Sequence, residues 1–248
     1  MNTNDSSALD RRFFEMVVDF LGRADLVELR ASMQERGYAI LRNMIKPELL
    51  DELRGECWNL LESSGVERDF LMRQTANTPR RMVNVRCEEI RSQGRLIPAL
   101  YQSVAFRRLF EVITRETFVE CPYEPEQYIV NALFKSGHTH GWHWDDYKYG
   151  VNIAVETPDK ESGGYVQLVP NTSWNRERPS VEEVLFSNQI LSFRLEPGDV
   201  YILRTDTGLH RVSPINAGSR RIIVNMVWST PEEVQTVTTH DTMEEIFA

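Results

Sequence analysis

The sequence is short of cysteine, of positive charge and of long apolar runs, and each shortage removes a class of function. Its three cysteines, Cys57, Cys87 and Cys121, lie far apart and have neither CxxC nor zinc-type spacing. They read as structural thiols of a reducing compartment rather than as a disulfide framework. No stretch reaches the ~18 apolar residues of a membrane span, and Met1 to Asp10 lacks the basic and apolar regions of a secretory leader. A cytoplasmic protein without membrane contact is the expectation. Twenty-eight basic residues against thirty-seven acidic ones give a formal charge of -9 and a pI near 5.2, the wrong sign for binding phosphate backbones or anionic lipid. Nucleic acid is not an expected partner. No repeat, proline-rich linker or low-complexity block divides the chain. A single domain over residues 1–248 is expected.

What the chain does have is core material, with 41% apolar and 10% aromatic residues. From Leu9 to Met33 apolar side chains such as Phe13, Val17, Phe20 and Leu21 recur at helical spacing, predicting one or two amphipathic helices. Tyr38 to Leu41 reads as a short strand, and Lys46 to Ser63 as a helix with Pro47 in its first turn. The second half changes character. Tyr128 to Phe134, Val151 to Val155, Tyr165 to Val169, Ile190 to Leu195, Val200 to Leu203 and Arg221 to Trp228 are short β-branched or aromatic runs. Turn residues such as Ser162-Gly163-Gly164 and Glu196-Pro197-Gly198-Asp199 separate them. Helices followed by strands, rather than alternating with them, argue against a doubly wound sheet. The expected fold is mixed and mainly β, a double-stranded β-helix (jelly roll) with N-terminal packing helices.

The candidate chemistry sits where strands begin and end. In an extended segment residues two apart share a side, so His143 and Asp145 can offer an imidazole and a carboxylate to one ion. His210, which follows the strand Val200 to Leu203 and a short loop, is the candidate third ligand. Two histidines and a carboxylate on one face of an octahedron leave three positions open, which suits a non-haem iron(II) that must take a co-substrate and dioxygen. Arg220 and Arg221 open the strand Ile222 to Trp228. There Ile222, Val224 and Met226 form one face, with Arg221, Ile223 and Asn225 on the other. A guanidinium on that polar-bearing face can grip a carboxylate such as the distal end of 2-oxoglutarate, and Arg221 is preferred over Arg220.

These segments resemble a known superfamily. Gly37-Tyr38-Ala39-Ile40-Leu41-Arg42, Pro47-Glu48-Leu49-Leu50, the His143-Trp144-Asp145 motif, Gly163-Gly164, Pro197-Gly198-Asp199-Val200 and His210 before Arg221 are similar to the iron(II)/2-oxoglutarate-dependent dioxygenases, phytanoyl-type members included. More narrowly, His138 to Tyr147 with Glu126 and Asn225 looks like the BesD-type free lysine halogenases and their hydroxylase relatives. The resemblance implies Fe(II), 2-oxoglutarate and dioxygen, hydrogen abstraction from a free cationic amino acid, with L-lysine the first candidate, and hydroxyl rebound. It also implies that Arg80, Glu126, His140, Asp146 and Asn225 bind substrate: buried carboxylates suit an ammonium, and Arg80 an α-carboxylate. Those halogenases carry glycine where this chain has Asp145, so the restored ligand implies hydroxylation rather than chlorination. At Val227 they carry a polar residue, a second departure. Desaturation, or oxidation of another small molecule, would use the same metal residues. A noncatalytic metal-binding jelly roll or ligand sensor would need neither the triad nor the arginine.

Other features have plainer readings. Trp142 and Trp144 flank His143 and either wall a pocket or simply pack. His138 reads as a loop histidine bonded to nearby backbone. His240-Asp241 lacks metal-pair spacing and a strand, and receives no ligand role.

Overall fold

The chain begins with two helices, α1 (Thr3–Leu21) and α2 (Leu26–Arg36), on the stretch whose periodicity called for them. The Asp25 carboxylate accepts from the Val27 and Glu28 backbone N–H groups and so starts α2. Strand β1 (Tyr38–Leu41) follows, and α3 (Pro47–Ser64) opens with proline in its first turn, where no N–H is needed. The hairpin of β2 (Val66–Met72) and β3 (Thr78–Val85), then α4 (Cys87–Gln93), α5 (Leu96–Gln102) and α6 (Val104–Thr114), are additions the sequence reading did not place. After them come β4 (Val119–Glu120), β5 (Tyr128–Leu133), β6 (Thr139–His143), β7 (Tyr149–Glu156), β8 (Val166–Val169), α7 (Val181–Ser187) and β9 (Leu191–Phe193). The last elements are β10 (Val200–Arg204), β11 (Leu209–Val212), β12 (Arg221–Ser229), α8 (Glu233–Thr236) and α9 (Asp241–Phe247). This computed structural model describes residues 3–237 and 239–247; Met1, Asn2, Thr238 and Ala248 of the unit expected over 1–248 lie outside the described residues.

The strands form one antiparallel sheet in the order β1-β10-β7-β12-β5-β3-β6-β11-β8-β9, with β2 added to β3 and β4 to β12. Strand β3 makes the sheet curl: Val83, Asn84 and Val85 pair with β5, while Arg80 and Arg81 pair with β6. The result is the jelly-roll core with N-terminal packing helices expected from the sequence.

Strand parity sorts the core. Ile222, Val224, Met226 and Trp228 of β12 join Val151, Ile153 and Val155 of β7 against helix residues such as Phe13, Leu53, Phe106 and Phe110. Each such side chain, once buried, contributes about 1.5–3 kcal/mol relative to exposure. The opposite parity turns inward, where Ala154, Tyr201, Leu203 and Ile223 meet Val166, Leu168 and Phe193 from the facing strands. The helices are therefore scaffolding for one face, and polar residues on the other face are left for chemistry. Among the described residues no helix is long and apolar enough to cross a membrane.

Candidate metal centre and substrate pocket

Strands β6 and β11 pair so that His143 lies opposite His210. Each histidine follows a glycine by two positions and is oriented by it: His143 Nδ1 is 2.7 Å from Gly141 O, and His210 Nδ1 is 2.8 Å from Gly208 O. A carbonyl only accepts, so each Nδ1 carries the proton and each Nε2 keeps its lone pair. Both positions demand glycine. A Cβ at residue 141 would stand 2.6 Å from Pro79 O, and one at residue 208 only 2.3 Å from Arg204 O.

Asp145 completes the group. Its backbone N–H donates to Thr205 O, fixing the segment just past β6. Its Oδ1 lies 3.5 Å from His143 Nε2, and its Oδ2 3.6 Å from His210 Nε2. The donor atoms of the three residues fall within 4.8 Å of one another. Burial pushes Asp145 up to about 7, with the neighbouring Asp146 charge adding to it. Burial also holds His210 down at about 4 and His143 well below the usual imidazole range. Neutral imidazoles with inward lone pairs beside a carboxylate that has no Lys or Arg ion pair among the described residues form a donor set suited to a divalent metal.

The three residues line a partly open cavity of about 80 Å3, together with Arg80, Glu126, His140, Arg221 and Asn225. Arg221 is 4% exposed, and its Nη2 has no hydrogen-bond partner among the described residues. Burial lowers its pKa, and Tyr201 supports its charge. Arg220, one residue earlier, is exposed and lies over Trp58. A guanidinium with a free Nη2 lining the same cavity as the candidate metal ligands fits a carboxylate-bearing co-substrate such as 2-oxoglutarate.

The residues expected to bind substrate separate into three situations. Arg80 is fully buried; its Nη1 and Nη2 reach Thr78, Thr75, Met72 and backbone carbonyls, its Nε has no partner among the described residues, and burial lowers its pKa. It lies opposite His140 in register, and the His140 ring stacks on His143 at 4.0 Å, with Nε2 unpartnered. Glu126 reaches the cavity from the turn before β5, with Oε2 unpartnered; burial, then the Asp146 and Asp145 charges, raise its pKa well above the usual range. Asn225 lies on β12 and donates to Asn152 Oδ1 at 3.1 Å. Asp146 is differently placed: it is not among the cavity-lining residues, Arg176 donates to its Oδ1, and Thr242 Oγ1 donates to its Oδ2 at 3.0 Å.

Trp142 and Trp144 pack with Val169, Val181 and Leu209 rather than walling the cavity. His138 Nδ1 accepts from the Phe134 N–H, the loop role expected of it. Sequence reasoning missed Asn152, Tyr201 and Thr242, all of which line the cavity. Asn152 carried a signal, an amide in the otherwise apolar run Val151 to Val155; Thr242 carried none.

A family model for halogenase D matches residues 21–248. No curated protein sequence matches the chain. Among solved structures, the epimerase SnoN in complex with Fe3+, alpha ketoglutarate and nogalamycin RO is 14% identical, with 83% of each chain covered and a TM-score of 0.62. An oxidoreductase of the 2OG-Fe(II) oxygenase family from Burkholderia pseudomallei is 16% identical over 84% of this chain and 92% of its own, with a TM-score of 0.57. AviO1 from Streptomyces viridochromogenes Tue57 is 15% identical over 84% of this chain and 96% of its own, with a TM-score of 0.65. At such identities the likeness is one of fold. The family match is of another kind, running from the end of α1 through α9, and by it the chain belongs to the halogenase D family.

Proposed function

We propose that the protein is an iron(II)/2-oxoglutarate-dependent hydroxylase of a free cationic amino acid, L-lysine first, and that residues 1–248 act as one domain. One observation carries the choice of hydroxylation: the Asp145 carboxylate faces both histidine Nε2 atoms, at 3.5 and 3.6 Å. His143, Asp145 and His210 would hold the metal, leaving two positions for 2-oxoglutarate and one for dioxygen. Bound iron with its co-substrates supplies the oxidant that removes a hydrogen atom from a substrate carbon and returns hydroxyl, with succinate and carbon dioxide as co-products.

The chain's own residues do the rest. Arg221 anchors the distal carboxylate of 2-oxoglutarate. Arg80, buried without a carboxylate partner among the described residues, receives the substrate α-carboxylate, with His140 and Asn225 as polar neighbours. Glu126 receives an ammonium, and Asp146 adds negative field from behind. The resemblance to BesD-type lysine halogenases supports the substrate class.

The family's name favours a second reading, halogenation. Asp145 opposes it, because a third protein ligand leaves no position for halide once both co-substrates are bound. The test is anaerobic loading with iron(II) and 2-oxoglutarate, then aerobic screening of free amino acids for succinate release and product mass. Hydroxylated lysine, ornithine or arginine supports the proposal. Turnover with neutral or acidic amino acids alone rules out the cationic substrate.

A further inference from the structure

We infer that His240, placed behind Glu126 just outside the cavity lining, shares the substrate's side-chain ammonium with Glu126, and that Thr242, Met243, Ile246 and Phe247 of the helix it leads into wall the substrate pocket. The inference rests on the cationic-substrate reading above.

Two polar atoms are left without hydrogen-bond partners among the described residues at one place. Glu126 is 4% exposed, yet its Oε2 has no hydrogen bond. His240 Nδ1 is likewise buried and unpartnered, 4.0 Å from that oxygen. Two acceptors at this separation can both be reached by one amine nitrogen at hydrogen-bond distance, about 2.8–3.0 Å from each. The imidazole is held in place by its ring, which lies parallel to Tyr123 at 3.7 Å and stacks more distantly on Tyr147. Burial lowers its pKa and so favours the neutral ring, whose Nε2–H tautomer offers Nδ1 as an acceptor.

The neighbouring carboxylate is already matched. Arg176 pairs with Asp146 and lies 3.5 Å from Asp241, while Thr242 holds the other Asp146 oxygen. These contacts fasten α9 to the segment just past β6. At the far end of α9 Arg86 donates to Phe247 O, and the Arg68 and Arg86 guanidiniums lie over the Phe247 ring. Thr242, Met243 and Ile246 then face the cavity between these anchors. The donor atoms of Glu126, Asp146 and His240 also lie within 4.8 Å of one another. A guanidinium on Asp146 disfavours a metal there, whereas one further N–H donor satisfies both orphaned atoms.

The test is calorimetric titration of L-lysine into protein loaded anaerobically with iron(II) and 2-oxoglutarate. His240→Phe keeps a ring against Tyr123 and removes the acceptor; it should weaken lysine binding about tenfold or more, the effect of a lost hydrogen bond to a charged group. His240→Gln restores an acceptor and should recover most of that loss. Combined with Glu126→Gln, His240→Phe should cost less than the sum of the single losses, because both residues hold one ammonium. Melting temperature and 2-oxoglutarate affinity, at wild-type values throughout, exclude misfolding. Wild-type affinity in His240→Phe, or equal weakness in His240→Gln, overturns the inference while leaving the substrate reading intact. A second equivalent of iron(II) or zinc(II) bound by wild type and lost in His240→Phe overturns it in favour of a metal site. A wild-type protein that binds none of lysine, ornithine and arginine instead refutes the substrate reading, and the role of His240 with it.

Discussion

His143 and His210 stand opposite each other in register on β6 and β11, with ring centroids 4.0 Å apart and Nε2 atoms both turned to Asp145. If this pairing holds the metal, His143→Ala and His210→Ala should each abolish stoichiometric iron(II) binding and succinate formation. Anaerobic metal analysis after desalting is the measurement. One full equivalent of iron retained by either variant removes that histidine from the ligand set.

The glycine carbonyls are as testable as the ligands. Gly208→Ala forces a methyl against Arg204 O at 2.3 Å, which should cost about 1–3 kcal/mol. Because Gly208 O orients His210, metal affinity should also fall about 10–100-fold. Gly55→Ala, exposed in α3 with nothing within 4 Å of its Cβ, should instead stabilise by about 0.5–1 kcal/mol. Thermal melts and iron titrations of the two variants decide, and unchanged metal affinity in Gly208→Ala disproves the orienting role.

Arg221→Ala should weaken 2-oxoglutarate binding by about 1.5–3 kcal/mol, the scale of a hydrogen bond to a charged group. Arg220→Ala should leave it alone, since that side chain is exposed over Trp58. The check is 2-oxoglutarate titration at saturating iron. Equal effects at both positions would contradict the assignment.

Wild-type protein should give hydroxylated and no chlorinated product, even at high chloride. Asp145→Gly vacates a metal position and should lose most hydroxylation; any chlorinated product should be minor, because rebound also depends on where the substrate carbon lies. Product mass and chlorine isotope pattern distinguish the outcomes. Chlorination by wild type would refute Asp145 as a ligand, and so would full hydroxylation by the glycine variant.

The Asp145 value of about 7, raised from 3.8, sets two opposite pH trends. In metal-free protein this group's stabilising contribution is full below 3.8 and is lost as pH rises through about 7. His210, lowered from 6.5 to about 4, works the other way, contributing above 6.5 and losing that contribution as pH falls toward 4. Iron competes with the Asp145 proton, so its affinity should drop about tenfold per pH unit below 7 and level off above. Iron titrations either side of neutrality test this, and a flat profile would exclude a proton on Asp145.

The approach of the candidate ligands was legible in the sequence in part because local rules govern it: two-residue spacing puts His143 and Asp145 on one side, and strand parity turns Arg221 inward and Val224 outward. The jelly-roll core was legible for the same reason, since most of its strands are short apolar runs between turns. The β2–β3 hairpin was not, because β2 is charged and largely exposed and carries little apolar alternation. Nor could any local rule bring Arg176, His240 and Thr242 to Glu126 and Asp146. Those approaches depend on how α9 and the segment after β8 return over the sheet, which tertiary contacts decide.

The pairing of β6 with β11 also bears on how the chain acquires its site. Thr139 and Val212, bonded across these strands, are 73 residues apart, so bringing the histidines together requires closing a long loop, whose entropic cost grows with the logarithm of its length. Contacts of this kind form slowly and late. If iron is held as proposed, an unfolded chain would offer it only the local His143–Asp145 pair, and the full candidate set would exist only once β6 and β11 have paired. Iron bound there would report completed folding, favouring the native state by mass action and giving little help to the chain on its way there.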